Sequence, residues 1–329
     1  MTTNHTIHQK PLVSFIVTYY NLPVDMLCQC IDSILKLSLL PFEREIIIVD
    51  DGSTQSPKDD LLHYGNEIVY VRQENGGVSV ARNTGLNMAN GRYIQIIDAD
   101  DYLIPSLYEH CLDIIRNNDD ADVVMFDFTN NAVHTTKTYG LPQRKTGTEL
   151  LCSENIRGAV WCCLFREAIR GHIQFTAGIA YGEDEEFTPQ LLIRAKNVYT
   201  TKVQAYYYRK RNTSATHQID DASITKRLND TKEVIYHLNR LASTSPQNKK
   251  QGIQRRVAQL TMDYIYNTIM LTRSVPITRQ CIKALRNDGL FPLPDCNYTK
   301  KYQWFRRLTN SRLGLSILVK VLPLMKKER

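Results

Sequence analysis

Three short acidic clusters hold residue types that can do chemistry at a phosphate or a hydroxyl. The first, Asp98-Ala99-Asp100-Asp101, closes the apolar run "RYIQII". Carboxylates two positions apart on an extended turn can face the same way, and a hard divalent cation bridging two phosphates requires oxygen ligands of this kind. A metal held there neutralises the charge that develops on a departing diphosphate. A solvated turn or a helix cap uses the same residues, so the triplet alone assigns nothing. The second cluster is Asp50-Asp51-Gly52-Ser53, after "EIIIV". Here an Asx turn closing the next element competes with a carboxylate that accepts the imide proton of uracil. The third is Gly182-Glu183-Asp184-Glu185-Glu186. Four consecutive acids oppose one another's ionisation and can raise one pKa toward the range that suits proton abstraction; equally, acids at a helix start stabilise its dipole.

Basic and small residues stand near these clusters. Arg82, in "ARNTG", is either a surface helix residue or a planar fork for a diphosphate or a neighbouring carboxylate. Gly76 and Gly77 suit positive φ or close backbone approach, as a plain turn also would. Tyr208, Arg209, Arg211, Ser214 and His217 follow a predicted strand and either fold over phosphates or form a solvated basic loop.

The elements that must position these residues read as an α/β fold. "LVSFIVTYYN" is an apolar, β-branched run ending at Asn21, and "MLCQCIDSILKL" follows with apolar residues at helical spacing. "EIIIVDDGS" shows no polar alternation, as expected of a parallel strand covered on both faces. "EIVYVRQE" leads through Asn75-Gly76-Gly77 into the helix "SVARNTGLNMA", and Gly91 precedes the strand that ends at Asp98. Strands alternating with helices predict a mostly parallel sheet, Rossmann-like in layering, and in such sheets ligands bind beyond the carboxyl ends of the strands. That rule gathers Thr18, Tyr20, Asp51, Asp98 and Asp100 into one site. "DVVMFDF" reads as another strand, "YGEDEEFTPQLL" as a loop entering a helix and "NVYTTKVQAYYYRKRNTS" as a strand with a polar end, and beyond Ser223 the pattern is helical as far as about Thr272. The expected division is a catalytic domain over 1–217 and a helical region over 218–329, with a basic amphipathic tail from about 300.

Composition narrows the classes. With 329 residues, 43% of them hydrophobic, the chain buries a full core. The net charge of +7 would suit a nucleic-acid binder, but Lys300 to Arg329 hold nine Lys/Arg and one acid, leaving 32 basic and 33 acidic residues before them. The charge belongs to the tail, so no nucleic-acid partner is expected. No run of about 18 apolar residues occurs and "MTTNHTIHQK" lacks a signal-peptide core, which predicts a cytoplasmic location. The eight cysteines, Cys162-Cys163 among them, show no zinc spacing and are read as reduced thiols. Leu313 to Met325 is too short to span a bilayer, and with Trp304, Phe305 and the flanking basic residues it is expected to lie on an anionic membrane surface or, failing that, to pack as a structural helix.

Taken in order, "VSFIVTYYN", "EIIIVDDGST", "NGGVSVARNTGLNMANGRYIQIIDADD", "VWCCLFREAI", "YGEDEEF" and "YYYRKRNTSAT" resemble the family 2 glycosyltransferases, over roughly residues 11 to 217. The resemblance implies a GT-A-like fold and an inverting transfer from a UDP-sugar to an acceptor hydroxyl, in surface polysaccharide, lipopolysaccharide or lipid-linked oligosaccharide synthesis. By it, Thr18, Tyr20 and Asp51 hold the uracil, and Arg82 braces that carboxylate or the diphosphate. Asp98 meets the ribose or metal-bound water, and Asp100 binds Mn²⁺ or Mg²⁺. Asp184, with Glu183 beside it, is the expected base, and Trp161 faces a glycan or lipid-linked glycan acceptor, peripheral membrane attachment being implied. Many members carry a proline before Tyr-Asn where this chain has Thr18-Tyr19-Tyr20. A sugar nucleotidyltransferase is the nearest rival, but it would carry a Gly-rich basic loop after the first strand. A catalytically silent nucleotide-sugar-binding subunit would need neither Asp100 nor Asp184.

Overall fold

The computed structural model describes residues 10–131, 139–211, 220–296 and 298–325. The chain divides into two compact units, Met1–Gly147 with Gly158–Arg211, and Thr148–Arg157 with Asn212–Arg329.

The first unit is built on one sheet, nine-stranded among the described residues: β1 (Val13–Tyr19), β2 (Arg44–Asp50), β3 (Val69–Arg72), β4 (Tyr93–Asp98), β5 (Tyr102–Leu103), β6 (Val123–Thr129), β7 (Gln143–Lys145), β8 (Cys163–Arg166) and β9 (Val198–Tyr207). The order is β3-β2-β1-β4-β8-β6-β9-β5, with β7 also on β9. The helices are α1 (Val24–Leu35), α2 (Val78–Met88), α3 (Pro105–Asn117), α5 (Glu167–Arg170) and α6 (Glu183–Leu192), while α4 (Gly147–Ser153) lies, but for Gly147, in the second unit. From β3 to β4 every pairing is parallel, as the apolar runs predict. Beyond β4 the sheet is mixed: β8 runs antiparallel to both neighbours, β6 and β9 are parallel, and β5 and β7 are antiparallel to β9. The expectation of a mostly parallel sheet is therefore corrected for this half. The strand that reverses direction has four residues, too few to show a period.

Helices cover both faces. Val13, Phe15 and Val17 of β1 pack with Leu27, Ile31 and Ile34 of α1 and Tyr108, Leu112 and Ile115 of α3. Ile47 and Val49 of β2 pack with Ala81 of α2 on the opposite side. Helix α2 also lies very close to β1, since a Cβ on Gly85 would stand 2.2 Å from Cγ2 of Ile16. The helix carries Arg82, so this close approach sets how near its guanidinium comes to the strand ends.

The second unit is helical: α7 (Asp221–Thr244), α8 (Gln247–Thr272), α9 (Val275–Asn287), α10 (Lys300–Thr309) and α11 (Arg312–Met325), beside the segment ending at Arg157. Asp220 caps α7 by accepting from the Ser223 N–H at 2.9 Å, and Pro246 separates α7 from α8. Tyr302, Phe305, Leu315, Leu318 and Val319 are buried. Phe305, expected among the membrane anchors, is instead core, with Tyr266 6.3 Å away between ring centroids. No described helix is long and apolar enough to cross a membrane.

Candidate active site

The strand-end rule brings the predicted residues together. Thr18 and Asp98 are register partners across β1 and β4, and the Asp51 N–H donates to the Tyr19 carbonyl at 2.9 Å, so all of these residues lie at one edge of the sheet. Tyr20 is half-exposed there. Asn21 follows at φ 47°, a left-handed conformation that asparagine tolerates. Its N–H donates to Oγ of Ser53 at 2.9 Å and its Oδ1 accepts from the Thr54 N–H at 2.8 Å. These bonds hold the loop that follows β1 against the loop that follows β2.

The paired aspartates after β2 have different surroundings. Asp50 is wholly buried and accepts from the Ser53 N–H at 2.9 Å and the Tyr70 hydroxyl at 2.7 Å. Asp51 accepts at both oxygens: Gln73 Nε2 (2.7 Å) and the Gly76 N–H (2.9 Å) on Oδ1, and Asn75 Nδ2 (3.1 Å) and the Gly77 N–H (2.8 Å) on Oδ2. Gly77 sits at φ 85° as the residue before α2, which explains the glycine at that position. Gln73 and Asn75 were not read as site residues from the sequence; the one signal was the Asn-Gly-Gly turn.

The chemistry-bearing cluster is organised by Arg82. Its guanidinium is 3% exposed and reaches Asp98 Oδ1 at 2.9 Å, Glu183 Oε1 at 3.0 Å and Asp184 Oδ1 at 2.7 Å, with the Phe175 ring 5.3 Å away. It does not brace Asp51, whose donors all come from the 73–77 loop. Glu183 and Asp184 begin α6, preceded by Gly182 at φ 89°. Asp184 Oδ2 also faces the Val160 N–H at 3.3 Å. One cation cannot neutralise three carboxylates in a desolvated site. Burial raises the Asp184 carboxyl well above the usual carboxylate range, Glu183 and Asp98 push the same way, and Arg82 opposes them.

On the other side of Asp98, Asp100 accepts from Arg211 at Oδ2 through Nε (2.7 Å) and Nη2 (2.5 Å). Burial, then the charge of Asp98, raises its carboxyl. Asp101 is buried and accepts from the Tyr206 hydroxyl at 2.9 Å and the Arg209 N–H at 2.7 Å. Desolvation, with Asp98 and Asp100 beside it, pushes its carboxyl up to about 8. Trp161 stacks on Tyr206 (4.6 Å between centroids) and Tyr208 (5.6 Å), with Phe128 edge-on at 5.2 Å. It is half-buried in an aromatic group whose Tyr206 touches the acidic cluster. Tyr206 and the Asp100 partner Arg211 were not legible as such; Ser214 and His217 lie outside the described residues.

Do these residues suit a divalent cation? Asp98 and Asp100 are hard oxygen donors at one strand end, in a cluster where burial and mutual repulsion raise two carboxyls, a field that a dication relieves. No group of three or more His, Cys, Asp or Glu able to hold a metal occurs among the described residues. The protein would thus supply one or two carboxylates, with phosphate and water oxygens completing the shell, the usual arrangement for a small hard dication. The residues fit.

A sheet of this order, with acidic residues at its strand ends, is GT-A-like in architecture. Residues 14–170 match the model of Glycosyl transferase family 2. The uncharacterised glycosyltransferase EpsJ of Bacillus subtilis is 31% identical over 222 residues, 63% of each chain. The minor teichoic acid biosynthesis protein GgaB of the same organism is 29% identical over 208 residues, 60% of this chain and 23% of its own. The match thus spans less than two thirds of either relative's length. Among solved structures, S. aureus TarS 1–349 with UDP-GlcNAc superposes with a TM-score of 0.56 at 16% identity, covering 96% of this chain and 91% of that one. The chain is thus similar to the family 2 glycosyltransferases over residues 14–170, just under half of its length, and its fold is GT-A-like.

Proposed function

We propose that the chain transfers a sugar from a UDP-sugar to an acceptor hydroxyl with inversion at the anomeric carbon, in the building of a surface polysaccharide, lipopolysaccharide or lipid-linked oligosaccharide. The observation that carries this reading is the Arg82 junction, in which one guanidinium ties the strand-end carboxylate Asp98 to Glu183 and Asp184. Donor-side and base-side groups then share one rigid support, as in-line displacement requires. UDP is favoured as the carrier by the family and by the UDP-GlcNAc complex of TarS, and the polymer context by GgaB.

In this reading Thr18 and the exposed Tyr20 ring meet the uracil. Asp51, with both oxygens committed, shapes the base pocket through the 73–77 loop and takes the imide proton only by exchanging one of its donors. Asp98 and Asp100 would hold Mn²⁺ or Mg²⁺, which when bound supplies charge neutralisation to the departing diphosphate. Asp184 removes the acceptor proton, its carboxyl raised by burial and by Glu183 and Asp98 against the pull of Arg82. The acceptor oxygen bonds to the anomeric carbon as the bond to the diphosphate oxygen breaks, and UDP leaves. Arg82 and Glu183 orient Asp184. Trp161 offers a flat ring to the acceptor sugar. Domain roles follow as catalytic for 1–217 and accessory for 218–329.

A peripheral membrane location, on the cytoplasmic face, is part of the same reading. Leu313, Ile317, Val321 and Leu324 are exposed along one side of α11, opposite the buried Leu315 and Leu318, with Lys320 beside them. On α10, Trp304 is exposed among Lys300, Lys301 and Arg307. An apolar stripe with basic neighbours fits an anionic lipid surface. Cosedimentation tests it: Leu313→Ser with Leu324→Ser should abolish binding to vesicles containing phosphatidylglycerol, and a full-length parent that ignores such vesicles removes the membrane assignment.

The function is tested by screening UDP-sugars for UDP release with and without Mn²⁺, then determining the anomeric configuration of the product by NMR. Release of pyrophosphate from UTP and a sugar 1-phosphate instead points to the nucleotidyltransferase, and binding with no turnover on any acceptor to a silent subunit.

A further inference from the structure

Two arginines follow β9, and they engage the acidic cluster in different ways. Arg209 donates from its backbone N–H to Asp101, from Nε to the Asp100 carbonyl at 2.8 Å and from Nη2 to Gln29, with its guanidinium near the Tyr102 ring. These contacts fix where the segment runs. Arg211 instead sets Nε and Nη2 on a single oxygen, Oδ2 of the Asp100 carboxylate, with both side chains about four-fifths covered. A carboxylate assigned to a cation thus already has a counter-ion from its own chain.

We propose that Arg211 is a built-in competitor for the Asp100 carboxylate, one that a divalent cation must displace and that makes cation and nucleotide binding depend on each other. This rests on the reading above that Asp100 is a cation ligand. Guanidinium and dication seek the same hard oxygen, and the close charge-assisted pair opposes cation entry. A diphosphate changes the balance: its negative charge gives the released guanidinium a new partner and gives the cation further oxygens. Nucleotide therefore lowers the cost of displacement, and by linkage the cation raises nucleotide affinity by the same factor. The site then takes up its cation together with nucleotide rather than alone. A free dication in the absence of donor, poised beside Asp184 and water, is disfavoured.

The test is Mn²⁺ binding by the full chain, followed by the loss of the free-ion electron paramagnetic resonance signal, without UDP and with saturating UDP. Arg211→Gln should bind Mn²⁺ alone about tenfold more tightly than the parent, and the tightening that UDP brings should shrink by a similar factor. Lys210→Gln removes the same unit charge from the exposed neighbouring residue and should change Mn²⁺ affinity less than about twofold, as a solvent-screened charge does. Equal thermal melting of the variants checks that the fold persists. The proposal is overturned if Arg211→Gln binds Mn²⁺ no more tightly than the parent, or if Lys210→Gln gains as much, which would make the effect one of general charge. Asp100→Asn separates the two levels: unchanged Mn²⁺ affinity in the presence of UDP removes Asp100 from the cation site, and the underlying reading fails instead.

Discussion

Replacing Arg82 by methionine should be among the most damaging single changes in the first unit, and its cost can be worked from the contacts. The guanidinium is buried and makes three charge-assisted hydrogen bonds, at 2.7, 2.9 and 3.0 Å, to carboxylates whose side chains are 12% to 28% exposed. Breaking a buried ion pair at one partner typically costs about 3–5 kcal/mol, because a charge is left uncompensated. Here three carboxylates are left. Water entering along Asp98, the most exposed, relieves part of the penalty, so about 3–5 kcal/mol at pH 7 remains the expectation rather than three times that sum. The sign with pH follows. Without Arg82 the folded-state carboxyls of Glu183 and Asp184 rise further above their unfolded values, so the folded form holds protons that the unfolded form has released, and stability falls as pH rises from about 4. Urea unfolding of parent and Arg82→Met at pH 5 and pH 8 should therefore show the larger loss at pH 8. Adding Asp184→Asn to Arg82→Met should recover part of it. A loss below about 1 kcal/mol, or one independent of pH, would refute the account of Arg82 as the cation that holds the cluster together.

Three further outcomes are expected. Asp184→Asn should lower UDP-releasing transfer by about 10²–10⁴-fold while calorimetry finds UDP affinity within a few-fold of the parent, and retention of more than a tenth of turnover would pass the role of base to Glu183 or Glu185. Gly85→Ala places a methyl group 2.2 Å from Ile16 Cγ2 and should cost about 1–3 kcal/mol in urea unfolding, with Ile16→Ala restoring part of the loss; an additive double variant argues against the clash. Asp101, pushed up to about 8 by burial and its neighbours, keeps its proton when folded over a range in which the unfolded chain loses it. The melting temperature in EDTA should fall between pH 5 and pH 8, and Asp101→Asn should flatten that fall.

The half of the site that local pattern describes was legible in the sequence. β1, β2 and β4 are built on apolar runs, and their polar ends predicted where Thr18, Asp51 and Asp98 would meet. What escaped was pairing across long separations. Arg82 was assigned to Asp51 or a diphosphate, yet it finds Glu183 and Asp184, 101 and 102 residues away. Nothing local distinguishes these targets, since an arginine on a helix is equally suited to each. The reversal of β8 was hidden for a related reason: four residues, Cys163–Arg166, carry no period. In the tail, the sequence shows two apolar faces but not which is covered, and Phe305 went to the buried one.

The insertion of β8 between β4 and β6 also bears on how the chain is made. Until residue 166 has been synthesised, β4 is an edge strand, paired to β1 alone along one side. Five of its six residues are buried in the finished sheet, and an unpaired apolar edge recruits whatever strand it meets. Nascent or truncated chains that stop between Asp98 and Cys163 thus present a sticky border at the centre of the future sheet. Aggregation of such fragments, and association with chaperones over that interval of translation, are expected to fall once β8 closes the gap.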